Sequence, residues 1–222
     1  MTHARYGRMK KGRCVKLDYG HLGCAADVLE LMDTRCSGRQ HCEIRVPDMM
    51  LTSTKPCPDD LKPYLEASYQ CVRVPTIGES VCEGRTSIHL RQQNGFLSSS
   101  VLSGHPHCDG TRIPWKIKVK PGQYIRVTLY DFYVAKRKAT SDPYSYPRCQ
   151  IYAWIKEKLD SGTRNVTVCG GVPRRKNVYT SATNRVELVI APNADHDAPR
   201  FLLQYEGENV MPTFLTTVLL LI

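Results

Sequence analysis

Ten cysteines in 222 residues constrain this chain more than any other feature. They stand at positions 14, 24, 36, 42, 57, 71, 82, 108, 149 and 169. The number is even, and none lies in a Cys-x-x-Cys pair, which argues against a zinc ribbon or a thioredoxin-like redox site. Widely spread, even cysteines fit disulfide-stapled extracellular domains. The one N-glycosylation triplet, Asn165-Val166-Thr167, agrees with that compartment. It lies in a polar stretch, 160–165, that reads as a surface loop.

Cysteine spacing also divides the chain. Six cysteines fall within 14–71 and four are spread over 82–169. Between them runs a short segment with one Pro and one Gly, which places a linker at 74–81. With 41% hydrophobic residues, each half can bury a core.

The first half predicts one helix. Ala25, Val28, Leu29 and Met32 follow the i, i+3, i+4, i+7 spacing, with Asp27 in the first turn and Gly38 after the last. The segment 64–71 reads as a strand, Leu65, Ala67 and Tyr69 on one face and Tyr64, Glu66, Ser68 and Gln70 on the other. Residues 42–47 also alternate, through Ile44 and Val46. The second half shows no long helix. Seven strand-like runs, near 87–92, 112–119, 124–134, 149–157, 165–169, 185–191 and 200–207, are separated by turn signals. Among these signals are Asn94-Gly95, Pro121-Gly122 and Gly170-Gly171. Many short strands with regular turns predict an all-β sandwich.

The net charge is +10, which favours anionic partners such as sulfated glycosaminoglycans or acidic lipids. Basic clusters occur at Arg8-Lys10-Lys11-Arg13, Lys136-Arg137-Lys138 and Arg174-Arg175-Lys176. They lack the aromatic interleaving of a nucleic-acid surface, so no nucleic-acid partner is expected. Nor is catalysis. There is no Gly-x-Ser-x-Gly elbow, His-Glu-x-x-His or phosphate loop. His105-Pro106-His107-Cys108 reads as loop decoration, since two His make a poor metal site and a disulfide sulfur cannot ligate. No cofactor is expected.

Three ordered blocks in the first half carry a family resemblance: "ARYGR", "DVLELMDTRCSGRQHCEIRVPD" and "PCPDDLKPYLEASYQC". Together they resemble the galactose/rhamnose-binding lectin domain first described in sea urchin egg lectin (the SUEL type) and found in latrophilin-type adhesion receptors. The resemblance covers 1–73 and implies a compact β-sandwich with a short helix. It implies the pairs Cys24–Cys57 and Cys36–Cys42. The family carries eight cysteines, and the partners of Cys14 and Cys71 would lie upstream. The resemblance therefore implies a domain whose first strand is missing, with Cys14 and Cys71 unpaired. It assigns sugar binding to Tyr6 and Lys62, with Arg8 supporting the loop. This sequence departs from the family at Asp59, where a Gly is usual, and at Pro63, inserted before Tyr64.

The second half, 82–207, resembles a CUB domain in its cysteine spacing, its "CGG" at 169–171 and its closing "FLLQYEG". That resemblance implies a CUB-like β-sandwich with the pairs Cys82–Cys108 and Cys149–Cys169. Many such domains bind calcium, but Tyr152, Ala153 and Trp154 stand where an acid should follow the third cysteine. Asp131 and Glu157 are the loose alternatives, and no metal site is expected. After it, 208–222 ends in an apolar run too short for the roughly 20 residues of a membrane span; it reads as the start of a membrane anchor or a GPI-attachment tail.

The expectation is thus a mainly β, non-enzymatic protein, extracellular or at the cell surface, whose own export signal is not seen in its basic first residues. It would recognise galactose- or rhamnose-type glycans. The alternative is a protein-adhesion module that has lost sugar binding.

Overall fold

The computed structural model describes residues 1–18, 20–77, 87–102, 112–133, 149–171, 173–192 and 199–209. The Cys82–Cys108 pair, the 105–108 His segment, the 136–138 basic cluster and the apolar run at 211–222 lie outside the described residues.

The first strand, β1 (His3–Gly7), alternates between exposed His3 and Arg5 and buried Ala4 and Tyr6. It is the middle strand of an antiparallel three-stranded sheet, between β2 (Ala25–Asp27) and β3 (Tyr64–Ser68). Two helices lie between β2 and β3 in the chain: α1 (Leu29–Cys36) and the single turn α2 (Met49–Thr52). Val28, Met32 and Leu51 close over Ala4 and Tyr6 to form a small core. Asp48 caps α2, its carboxylate accepting from Met50 N and Leu51 N, and pairs with Arg35 at 2.7 Å.

Three expectations are corrected here. The helix begins at Leu29, because Ala25 and Ala26 are drawn into β2; Asp27 instead accepts from Leu29 N at 2.8 Å as the chain turns. Residues 42–47 form no strand: Ile44 packs on the small core and Val46 stays 44% exposed. Tyr69 lies beyond β3 and is exposed.

The remaining strands form two facing sheets. These are β4 (Ile88–Leu90), β5 (Asn94–Ser98), β6 (Pro114–Lys118), β7 (Gln123–Asp131), β8 (Gln150–Leu159), β9 (Gly162–Gly170), β10 (Arg175–Thr180), β11 (Arg185–Ile190) and β12 (Phe201–Asn209). One sheet runs β10-β7-β12-β5 and the other β4-β6-β11-β8-β9. Their inner faces share one core, with Trp115, Leu129, Ile155, Leu188 and Leu203 at its centre. Tyr152 stacks on Phe201 across it at 4.3 Å between ring centroids. The fold is mainly β, a short-helix sheet unit followed by a two-sheet β-sandwich.

Two strands went unpredicted. Asn94-Gly95 is no turn: both residues sit in β5, and Gly95 is required because a Cβ there would stand 2.5 Å from the Tyr205 hydroxyl. The basic run at 174–176 leads into β10, whose consecutive Arg175 and Lys176 hide its alternation. The glycosylation triplet lies in β9, so Asn165 is exposed on an edge strand rather than in a loop.

Candidate functional site

Gly7 ends β1 and lets two chains meet. A Cβ there would lie 2.2 Å from Cys24 O, so only glycine allows β1 to press against β2 at this end. Just behind that contact, a disulfide joins Cys24 to Cys57, tying the loop before β3 to the start of β2. A second disulfide joins Cys36 to Cys42, closing the turn after α1. Cys14 and Cys71 are exposed and carry no disulfide. In the sandwich, Cys149 is bonded to Cys169.

Arg8 follows Gly7 and is buried. Its amide donates to Cys24 O at 2.8 Å, and its carbonyl accepts from Gly23 N at 2.8 Å. Its guanidinium reaches two loops at once: Nη1 donates to Lys62 O at 3.4 Å and Nη2 to Leu17 O at 3.5 Å. Its Nε is buried without a partner among the described residues. Arg8 thus fastens the Lys62 loop to the sheet, and it contributes nothing to an exposed basic cluster with Lys10, Lys11 and Arg13.

Lys62 is exposed and just precedes β3. Tyr6 is not beside it on the surface. Tyr6 is 2% exposed and belongs to the small core with Met32 and Leu51. Strand alternation puts it on the helix-covered face. The aromatic residue at the open end of the sheet is Tyr64, paired with Gly7 and half-buried. Its hydroxyl accepts from Lys10 N at 3.3 Å, and Lys10 Nζ lies 3.5 Å from Glu66. Tyr64 was legible only as one face of a strand. Its closeness to Lys62, two residues earlier, was the available signal. The end of the sheet therefore offers an ammonium, a phenol ring and a carboxylate around one glycine. Those groups can donate to and accept from adjacent hydroxyls and cover an apolar ring face.

The two carboxylates weighed for calcium are both occupied by protein donors. Asp131 accepts from Tyr152 Oη at 3.0 Å, Tyr133 N at 2.9 Å and Gly171 N at 2.8 Å. Glu157 is fully buried and accepts from Tyr179 Oη at 2.5 Å, Ala182 N at 3.0 Å, Thr183 N at 2.6 Å and Thr183 Oγ1 at 2.7 Å. Burial pushes the Glu157 carboxyl up, but the hydrogen bonds from Tyr179 and Thr183 outweigh it and hold it below its ordinary value. Burial, then that same bond, pushes the Tyr179 phenol up to about 12. These are structural carboxylates that lock strands together.

The two units also touch. Arg174 donates from Nε and Nη2 to the buried Asp33 carboxylate of α1 and to Met1 O. Arg200 donates to Ser37 O and Thr34 O at the C-terminal end of α1. Helix ends leave such carbonyls unpaired, and arginine suits them. Gly38 seats the contact, since a Cβ there would lie 3.2 Å from Arg200 Cβ and 3.4 Å from Phe132.

Residues 1–71 match the model of the D-galactoside/L-rhamnose binding SUEL lectin domain. A search of curated proteins found no significant match. Among solved structures, the full extracellular region of zebrafish Gpr126/Adgrg6 is similar at 16% identity and a TM-score of 0.36, over 56% of this chain and 15% of that one. The CUB1-EGF-CUB2 region of human MASP-1/3 is similar at 16% identity and a TM-score of 0.34, over 55% of this chain and 42% of that one. The chain thus spans well under two thirds of either. The residues that build the open sheet end, Gly7 through Tyr64, all lie inside the matched segment, and the first 71 residues carry a SUEL lectin domain.

Proposed function

We propose that this chain is an extracellular recognition protein that binds terminal galactose- or rhamnose-type sugars at the open end of the three-stranded sheet. The family match over 1–71 supports a carbohydrate-binding role. The observation that carries the site is Arg8 holding the Lys62 carbonyl. It ties the backbone of Lys62, two residues before Tyr64, to the sheet. In this reading Lys62 donates to sugar hydroxyls, Tyr64 covers the ring, Arg8 positions the loop and Tyr6 supports the strand from within the core. The domain reading 1–73, 74–81 and 82–207 belongs to the same proposal, as does placement outside the cell, which the disulfides favour. A shallow site gives modest affinity for one sugar, and several copies on one surface give avidity.

A second reading, protein adhesion, has one observation in its favour. Val46, and Met49 and Met50 of α2, are 44%, 84% and 51% exposed, apolar side chains that a protein partner could cover. One experiment separates the two. On a glycan array, the chain is expected to bind galactosides or rhamnosides, and Lys62→Ala to weaken that binding about tenfold, the loss of one charge-assisted hydrogen bond. Silence of the folded native chain toward every neutral sugar sinks the lectin reading. Cell-surface binding that survives Lys62→Ala and disappears in Met49→Ser/Met50→Ser would establish the adhesion reading instead.

A further inference from the structure

In the five-stranded sheet, Trp115, Ile117, Ile155, Val186 and Leu188 point into the core. Their neighbours Lys116, Lys118, Lys156, Arg185 and Glu187 therefore face outward. The pairing is Lys118 with Arg185, and Lys116 with Glu187 and then Lys156. Continuing the β11–β8 register by two residues sets Lys158 beside Arg185. Strands lie about 4.8 Å apart, so Lys118, Arg185 and Lys158 form a rank of cations roughly 10 Å long, crossing three strands. A second rank, Lys116 and Lys156 flanking Glu187, runs parallel to it about 7 Å away. All five cations are exposed. Among the described residues none of them makes a salt bridge. The patch is invisible as a run in the sequence, because its members come from three strands.

We propose that this outer face binds a linear sulfated polysaccharide, laid across the strands along the Lys118–Arg185–Lys158 rank. The ligand class follows from the shape of the charge. A flat ladder of evenly spaced ammonium and guanidinium groups complements a chain with regularly repeated sulfates. A lipid surface suits it less, because membrane binding draws strength from apolar side chains inserted below the headgroups. The aromatic ring on this face, Trp154, is covered by the Arg112 guanidinium at 4.6 Å. This site is separate from the sugar site proposed above and does not depend on it.

The test uses the whole chain on immobilised heparin. Three proteins are compared: the native chain, Lys118→Gln/Lys158→Gln/Arg185→Gln, and a charge-matched control, Lys11→Gln/Arg13→Gln/Lys16→Gln. The control residues are exposed on the N-terminal unit. Thermal melts verify that all three fold. The sheet variant is expected to elute at clearly lower salt than both others. Its dependence of log affinity on log salt should flatten by about two units, at roughly 0.7 per lost cation as for flexible nucleic-acid polyanions. Dextran sulfate should compete and neutral dextran should not. Equal losses in sheet variant and control would show that net charge alone is responsible and overturn the proposal. So would unchanged heparin elution in the sheet variant together with lost binding to phosphatidylserine-containing vesicles, which would assign the face to a membrane.

Discussion

Glu157 shows how a single residue can be misjudged by its type. An acid in a CUB-like sequence invites a calcium reading, yet every contact it makes is to the protein's own Tyr179, Ala182 and Thr183. Its consequence is a pH dependence with a defined sign. The folded carboxyl ionises below its ordinary value, so the unfolded chain binds more protons in acid. The stabilisation is then fully present above the unfolded value of about 4.3 and is lost as pH falls through the folded one. Urea unfolding at pH 7 and at pH 3 should show the native chain losing stability in acid. Glu157→Gln should be less stable at pH 7 by about 2 kcal/mol and should show a smaller acid loss. Parallel pH curves for the two proteins would remove Glu157 from this role.

Gly7 makes a different residue-scale point. Its close approach to Cys24 O was not readable from the sequence, where it was merely the middle of a Tyr-Gly-Arg triplet. Since a Cβ would meet backbone at 2.2 Å, Gly7→Ala must part β1 from β2. We expect a drop in melting temperature of several degrees or more, with the Arg8–Lys62 link lost and, with it, the sugar binding proposed for this site. A Gly7→Ala protein with native melting behaviour would contradict the geometry.

Among the elements, legibility followed the strength of alternation. Strands such as β7 and β11, apolar on one face and polar on the other, could be read directly. β5 could not, because Asn-Gly is usually a hairpin turn, whereas here the missing side chain makes room for Tyr205. β10 was masked by two consecutive cations, Arg175 and Lys176, which interrupt any apolar alternation, and by a bulge between Asn177 and Tyr179. The false first turn of α1 has a simple origin: Ala25 and Ala26 fit either period, and pairing with β1 decided the matter. The candidate site was half legible. The Arg8–Lys62 neighbourhood came from the family resemblance, but the burial of Tyr6 follows from its position on the core face of β1 and needed the fold.

At the scale of the molecule, the two halves meet through Arg174 and Arg200 of the sandwich, which reach Asp33 and the carbonyls at the end of α1. The contact between Arg174 and Asp33 is the best handle on it. Asp33 is 2% exposed, and without Arg174 its buried carboxylate keeps only the Ser37 hydroxyl and the Met1 ammonium, at 3.7 Å, as partners. Arg174→Ala should therefore release the N-terminal unit from the sandwich, with faster amide exchange at the end of α1 and a larger radius of gyration by small-angle scattering, while each unit keeps its own fold. An unchanged scattering profile would show that other contacts set the arrangement.

The same contact bears on how the chain is made. Asp33 and Arg174 lie 141 residues apart. At translation speeds of about 5–20 residues per second, about 7–28 s separate the synthesis of one from that of the other. The N-terminal unit thus emerges and can fold with the Asp33 carboxylate in water and the Thr34 and Ser37 carbonyls open. It docks only once β10 and the start of β12 exist. The joint between the halves is the last piece to close, and a chain that stalls before residue 174 leaves the end of α1 without its intended cover.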